Sequence, residues 1–299
     1  MSSPHVRLVL DARAELGEGP CWNELEKALY WVDIIGKRFC KFDPATGSNE
    51  EFPVGEYVGA VVCAGQGEVI LATQSGFQSY SMEQRRLTPI VDPESHLPEN
   101  RFNDGKCDAR GRFWAGTMEI VEKEAKGSLY VLDVDRSFRK VHEGVGVSNG
   151  IAWSLDGKEM YYVDSMKKLV LAFQFDLERG EISGPRTLID FADAGEEGFP
   201  DGMTIDAEGM LWIAHWDGWQ VSRWNPRTGE KLDSIRVPAA KASSCIFGGE
   251  ALDTLYITTA RKDVQDHLAG EQPHAGGIFA VQPGVKGTRT YTFGLHNEF

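Results

Sequence analysis

A carboxylate or amide beside a glycine, then a short apolar run, a polar turn and a second apolar run, recur along this chain. The fullest copy is Phe199-Pro200-Asp201-Gly202-Met203, followed by the turn Asp206-Ala207-Glu208-Gly209 and the run Met210-Leu211-Trp212-Ile213-Ala214. The layout returns at Gly17-Glu18-Gly19-Pro20 before Trp31, at Asn103-Asp104-Gly105-Lys106 before Trp114, and at Ser148-Asn149-Gly150-Ile151 before Tyr162. The centres of the second apolar runs are Trp31, Leu71, Trp114, Tyr162, Trp212 and Tyr256. They mark six units at a period of roughly 45 residues, the length of a propeller blade.

A lone four-stranded sheet cannot bury both of its faces, so units of this kind are expected to stack around an axis. The reading is all-β: a six-bladed β-propeller with four-stranded antiparallel blades, residues 1–299 forming one domain. In the first unit the strands fall near 18–23, 28–34, 37–42 and 49–54, with turn residues between them. The polar turns at 108–111, 155–157 and 206–209 are read as structural, with no catalytic role. The ring is expected to close through the uncommitted apolar strand at 6–10, pairing near 277–281 or near 290–293. Closure of that kind removes an exposed sheet edge.

Strand A of a blade is innermost, so equivalent positions on different blades converge on the axis. Units one, three, four and five bring Glu18, Asn103 or Asp104, Asn149 and Asp201 there, whereas units two and six bring Val58 and Ser244. Carboxylates and amides crowded round an axis repel and dehydrate one another unless a positive charge sits between them. A divalent cation bound through oxygen is the simplest solution, and Ca, Zn, Mg, Mn and Fe(II) all remain open. Each Asp-Gly or Asn-Gly alone is an ordinary turn former. Four copies at matched positions, with Glu18 where no turn asks for Glu, favour the cation. Arg101 offers a planar donor fork to a hydroxylated or carboxylated ligand, or else is a solvated charge. Trp216 and Trp219 are read as packing between blades.

The charge balance, 31 Lys+Arg against 45 Asp+Glu for a net −14, disfavours nucleic acid and anionic membrane surfaces as partners. Five widely spaced cysteines without a Cys-x-x-Cys pair indicate neither a disulfide framework nor a thiolate zinc site. No apolar run is long enough to span a bilayer and the first residues lack a signal-like apolar stretch, so a cytoplasmic location is expected, and a monomer is expected because no apolar patch demands cover. No histidine pair has metal-ligand spacing, and no nucleophile elbow, P-loop or dinucleotide fingerprint is present.

Leu16-Gly17-Glu18-Gly19-Pro20, Arg101-Phe102-Asn103-Asp104-Gly105-Lys106, Trp114-Ala115-Gly116-Thr117-Met118, Ser148-Asn149-Gly150, Pro200-Asp201-Gly202-Met203 and Cys245-Ile246-Phe247-Gly248-Gly249 follow one another in order. Together they resemble the senescence marker protein-30 (regucalcin)/gluconolactonase family of sugar lactonases. The resemblance implies one divalent metal in the central tunnel and hydrolysis of aldonic-acid lactones, with a small-molecule sugar lactone as substrate. By motif it assigns the metal to Glu18, Asn149 and Asp201, general-base duty to Asp201, and the sugar hydroxyls to Arg101 and Asn103. Members near the animal proteins place a substrate-contacting Glu three residues beyond the Met of Gly-Thr-Met, where this chain has Val121; Glu119 or Glu122 stands in for it. Two other readings use the same cluster: a non-catalytic calcium-binding regulatory protein, and a metal-dependent esterase or organophosphate hydrolase.

Overall fold

Burial falls from the axis outward, and this gradient sorts the strands of each blade. β6 (Val58–Ala64) is buried at every residue, whereas β21 (Glu230–Arg236) is exposed everywhere except Ile235. A computed structural model describes residues 5–65, 67–264 and 270–295. Their strands form six four-stranded antiparallel sheets arranged as a six-bladed propeller. β2 (Gly17–Asn23) to β5 (Ser48–Pro53) make the first blade, and β6 to β9 (Arg86–Val91) the second. The third runs from β10 (Asn100–Cys107) to β13 (Phe138–Val145), the fourth from β14 (Ser148–Trp153) to β17 (Glu181–Asp190), and the fifth from β18 (Phe199–Ile205) to β21. Among the described residues no helix is long and apolar enough to cross a membrane.

The sixth blade joins the two ends of the chain. Its strands are β22 (Ala242–Gly248), β23 (Thr254–Thr259), β24 (Ile278–Val281) and, outermost, β1 (Arg7–Leu10). Leu8 pairs with Phe279, so the first of the two expected partners is the one used. The other candidate, 290–293, serves elsewhere. The chain after β24 crosses the ends of the blades where the A–B turns lie: Ala207 N donates to Lys286 O, Phe293 bridges Ala64, and Gly294 N donates to Gly111 O.

Every innermost strand breaks register at the same place. The slips lie between Glu18 and Cys21, Val58 and Ala60, Phe102 and Asp104, Asn149 and Ile151, Pro200 and Met203, and Ala242 and Ser244. A bulge bends its strand and re-aims a side chain, here at the positions that the repeat marks. The neighbouring glycine is not a turn residue. A Cβ on Gly150 would stand 2.6 Å from Met203 Cβ and 2.7 Å from the Asp201 carbonyl oxygen, and one on Gly202 would stand 2.7 Å from Ser244 Cα. At Gly150 and Gly202 glycine is required because adjacent inner strands approach too closely for a side chain.

The turns between strands A and B are structural, as expected. Asp108 is wholly buried and takes the Trp114 indole at 2.8 Å and Arg112 Nε at 2.7 Å on one oxygen, with the backbone N–H groups of Arg110 and Arg112 on the other. Asp206 repeats this with Trp212 at 3.0 Å, Arg223 Nε at 2.8 Å and the N–H groups of Glu208 and Met210. Asp108→Ala strands a buried guanidinium, and a loss of about 3–5 kcal/mol is expected. The denaturant midpoint of the variant measures it, and a change below about 1 kcal/mol would refute the clamp.

Candidate active site

The bulges of β2, β10, β14 and β18 turn their polar side chains into one cavity of about 440 Å³ at the axis. Glu18, Asn103, Asn149 and Asp201 line it, together with Arg101 and Glu122. Val58 and Ser244, from the other two inner strands, are not part of the lining. The alternative left open between Asn103 and Asp104 is resolved by position: Asn103 faces the cavity, and Asp104 is buried beside it, accepting Gly105 N–H at 2.7 Å.

The amides are held by a chain of hydrogen bonds. Arg101 Nη1 donates to the Phe102 carbonyl at 3.0 Å and to Asn103 Oδ1 at 2.7 Å. Asn103 Nδ2 donates to the Ser148 carbonyl at 2.7 Å and to Asn149 Oδ1 at 3.1 Å. Asn149 Nδ2 in turn donates to Ser165 Oγ at 2.8 Å, and that hydroxyl donates to the Pro200 carbonyl at 2.5 Å. Each amide therefore has a fixed orientation, and Asn149 offers its oxygen, not its nitrogen, on the Asn103 side. Arg101 is only 7% exposed, which rules out a solvated surface charge. Burial lowers its guanidinium to about 10.

The acids are strained by the same burial. Glu18, which accepts Gly19 N–H at 2.8 Å, is pushed up to about 8, first by desolvation and then by the charge of Asp104. Desolvation, then Glu18, then Asp104 hold Asp201 well above the usual carboxylate range. Asp104 itself rises to about 6, mainly through burial.

Glu119 is not a cavity residue. Its Oε2 accepts the N–H groups of Lys123 and Glu124, both at 2.9 Å, and its Oε1 accepts Lys126 Nζ at 3.0 Å. Those bonds fold the loop back on itself, and the substrate-binding expectation for Glu119 is corrected accordingly. Glu122 lines the cavity instead, with Lys262 Nζ 3.7 Å from its carboxylate. Val121 is 60% exposed on the same loop. Trp219 stays outside the cavity, with Arg236 over its ring, whereas Trp216 lines the cavity as well as packing on the first-blade core. The segment from Lys262 to Pro273 is described only in part, because 265–269 lie outside the described residues.

The family profile described as SMP-30/Gluconolactonase/LRE-like region matches residues 16–261. The chain belongs to this family. It is 38% identical to regucalcin of Gallus gallus over 299 residues, covering 98% of this chain and 99% of the relative. The Bacillus subtilis (strain 168) protein YvrE, provisionally named a sugar lactone lactonase, is 39% identical over 275 residues, covering 92% and 94%. A solved structure of regucalcin from Agrobacterium tumefaciens str. C58, described as a calcium-binding protein, matches with a TM-score of 0.93 at 25% identity, covering 99% of this chain and 100% of that one.

In this SMP-30/gluconolactonase member, no group of three or more His, Cys, Asp or Glu side chains among the described residues stands ready to hold a metal. The donor set is two carboxylates, Glu18 and Asp201, with amide oxygens beside them. Such an oxygen-only set fits a hard divalent cation, and burial outweighs the offset that Arg101 gives Glu18. Lys106 and Ser165 were missed at the level of sequence. Alternation along β10 could have flagged Lys106, which donates to the Met203 carbonyl at 2.6 Å. Nothing in the sequence marks Ser165, because only the β14 to β15 (Glu159–Asp164) register brings it to Asn149.

Glu18 gives the cation-free protein a testable pH dependence. Between its ordinary 4.5 and about 8 the folded chain keeps a proton that the unfolded chain releases. Stability in chelator is therefore expected to fall as pH rises through that window, by on the order of a few kcal/mol. Glu18→Gln should flatten the slope. Equal slopes for both proteins in urea titrations across this range would contradict the assignment.

Proposed function

We propose that this chain is a metal-dependent lactonase that hydrolyses sugar (aldono-) lactones to aldonic acids. The observation carrying this reading is the pairing of two buried acids with a buried, fixed Arg101–Asn103 donor set in one cavity. Membership of a family with lactonase-named relatives supports it. A calcium site alone has no need of the buried guanidinium.

Glu18, Asn149 and Asp201 are the residues that would hold a divalent cation, which when bound supplies a Lewis acid for the lactone carbonyl. Ionised Asp201 accepts a proton from the attacking water as its oxygen adds to the carbonyl carbon. The ring C–O bond then breaks, and the departing ring oxygen takes that proton to become the hydroxyl of the aldonic acid. Arg101 and Asn103 orient the ring hydroxyls, so that attack occurs on a positioned rather than a tumbling substrate. Ser165 is a positioning residue, acting through the Asn149 amide.

Asp201→Ala is expected to lower glucono-δ-lactone hydrolysis by about 10²–10⁴-fold, measured as proton release. Full activity in a folded variant would remove Asp201 from the mechanism. Arg101→Lys loses the fork while keeping the charge, and a drop in kcat/KM of roughly 10–100-fold is expected.

The oxygen-only donor set also suits calcium without catalysis. Chelated protein to which each divalent metal is returned separates the two readings. Tight calcium binding with no hydrolysis above the spontaneous rate under any metal would replace the lactonase by a calcium-binding regulatory protein.

A further inference from the structure

A second cavity, of about 80 Å³, lies at the other end of the inner strands, where the chain after β24 crosses the A–B turns. Lys106 near the end of β10, Trp153 at the end of β14 and the tail residues Arg289 and Thr290 line it, over a base that includes Ala152 and Phe175. It shares no lining residue with the candidate active site. A single water needs about 10–15 Å³, so the space admits a ligand of several non-hydrogen atoms.

Two polar groups of this lining have no partner. Trp153 Nε1 and Thr290 Oγ1 are buried atoms without a hydrogen bond among the described residues, and Trp153 is only 9% exposed. The buried indoles of Trp31, Trp114, Trp212 and Trp224 each donate to a side-chain oxygen, so the orphaned one is an exception that calls for an acceptor. Charge narrows what that acceptor is. The lining holds two cations, Lys106 and Arg289, and among the described residues no Asp or Glu, in a chain of net charge −14. Lys106 Nζ gives one N–H to the Met203 carbonyl at 2.6 Å, which leaves two. Burial lowers its ammonium, and the charge of Asp104 opposes that. Arg289 sits at the rim, 3.8 Å from Glu24. Water would satisfy the indole; an anion does so and also meets the cationic lining.

We infer that this cavity is a binding site for a small carboxylate, whose oxygens accept from Lys106 Nζ, Trp153 Nε1 and Thr290 Oγ1 while its short alkyl stem lies against Ala152 and Phe175. The apolar base selects an anion with such a stem over a bare inorganic one. The bound carboxylate joins the third blade, the fourth blade and the tail at the end of the tunnel opposite the candidate active site.

The probe is propionate, with propionamide as its neutral analogue of the same size, titrated into the isotope-labelled full-length protein while the indole N–H resonances are followed. Trp153→Phe assigns the Trp153 resonance by its loss. Propionate is expected to move that resonance saturably, and to bind at least about tenfold more tightly than propionamide. Lys106→Met should weaken the propionate response by about tenfold, and Thr290→Val, which keeps the volume and removes the hydroxyl, by about threefold or more. The Trp216 resonance reports the other cavity and separates binding there from binding here. A Trp153 resonance that stays still up to about 100 mM propionate, or that both probes move equally, overturns the inference and leaves ordered water as the occupant. Should Lys106→Met fail to fold, the comparison of the two probes and Thr290→Val decide without it.

Discussion

The close approach of the inner strands is the constraint on which the rest depends. Six strands meeting at one axis leave no room for a side chain where neighbouring blades touch, and Gly150 and Gly202 occupy those points of contact. The bulge beside each contact turns the adjoining side chain out of the sheet plane and into the axis. The recurrent pairing of a polar residue with glycine is therefore one device with two parts: the glycine lets the blades close, and its neighbour is delivered to the tunnel. Closure of the ring by β1 on β24 keeps those contacts in register around the circle.

What is delivered is electrostatically costly. Glu18, Asp104 and Asp201 are buried together, and each lies above its ordinary range chiefly because water has been excluded. Such a cluster costs fold stability unless a charge of opposite sign compensates it. The other cavity residues hold one another in place. Arg101, Asn103, Asn149 and Ser165 form one hydrogen-bonded series ending on the Pro200 carbonyl, one residue before Asp201. Orientation of the amide oxygen is thus tied to the strand that carries the acid.

Much of this was legible in the repeat. The blade period, the six units and the convergence of Glu18, Asn149 and Asp201 all follow from matched positions along the chain, because a propeller maps equal phase in sequence to equal radius in space. The A–B turns were also legible, since Asp108 and Asp206 sit at fixed offsets before a tryptophan. Loop residues were not. Glu119 and Glu122 are alike in sequence, and only the fold-back of residues 119–126 sends one into the loop's own hydrogen bonds and the other to the cavity. Trp216 looked like packing, and it packs, but its other side belongs to the site.

By itself, then, the sequence determined the architecture and which residue types reach the axis, because both depend on periodicity and on the small size of glycine. Tertiary structure alone decided which of two candidate segments closes the ring, that Asn103 and not Asp104 faces the cavity, that Arg101 is buried, and that Ser165 orients Asn149. Those choices turn on distances between residues far apart in the chain and on the exclusion of water from the space between blades. Neither is written in any local stretch of residues.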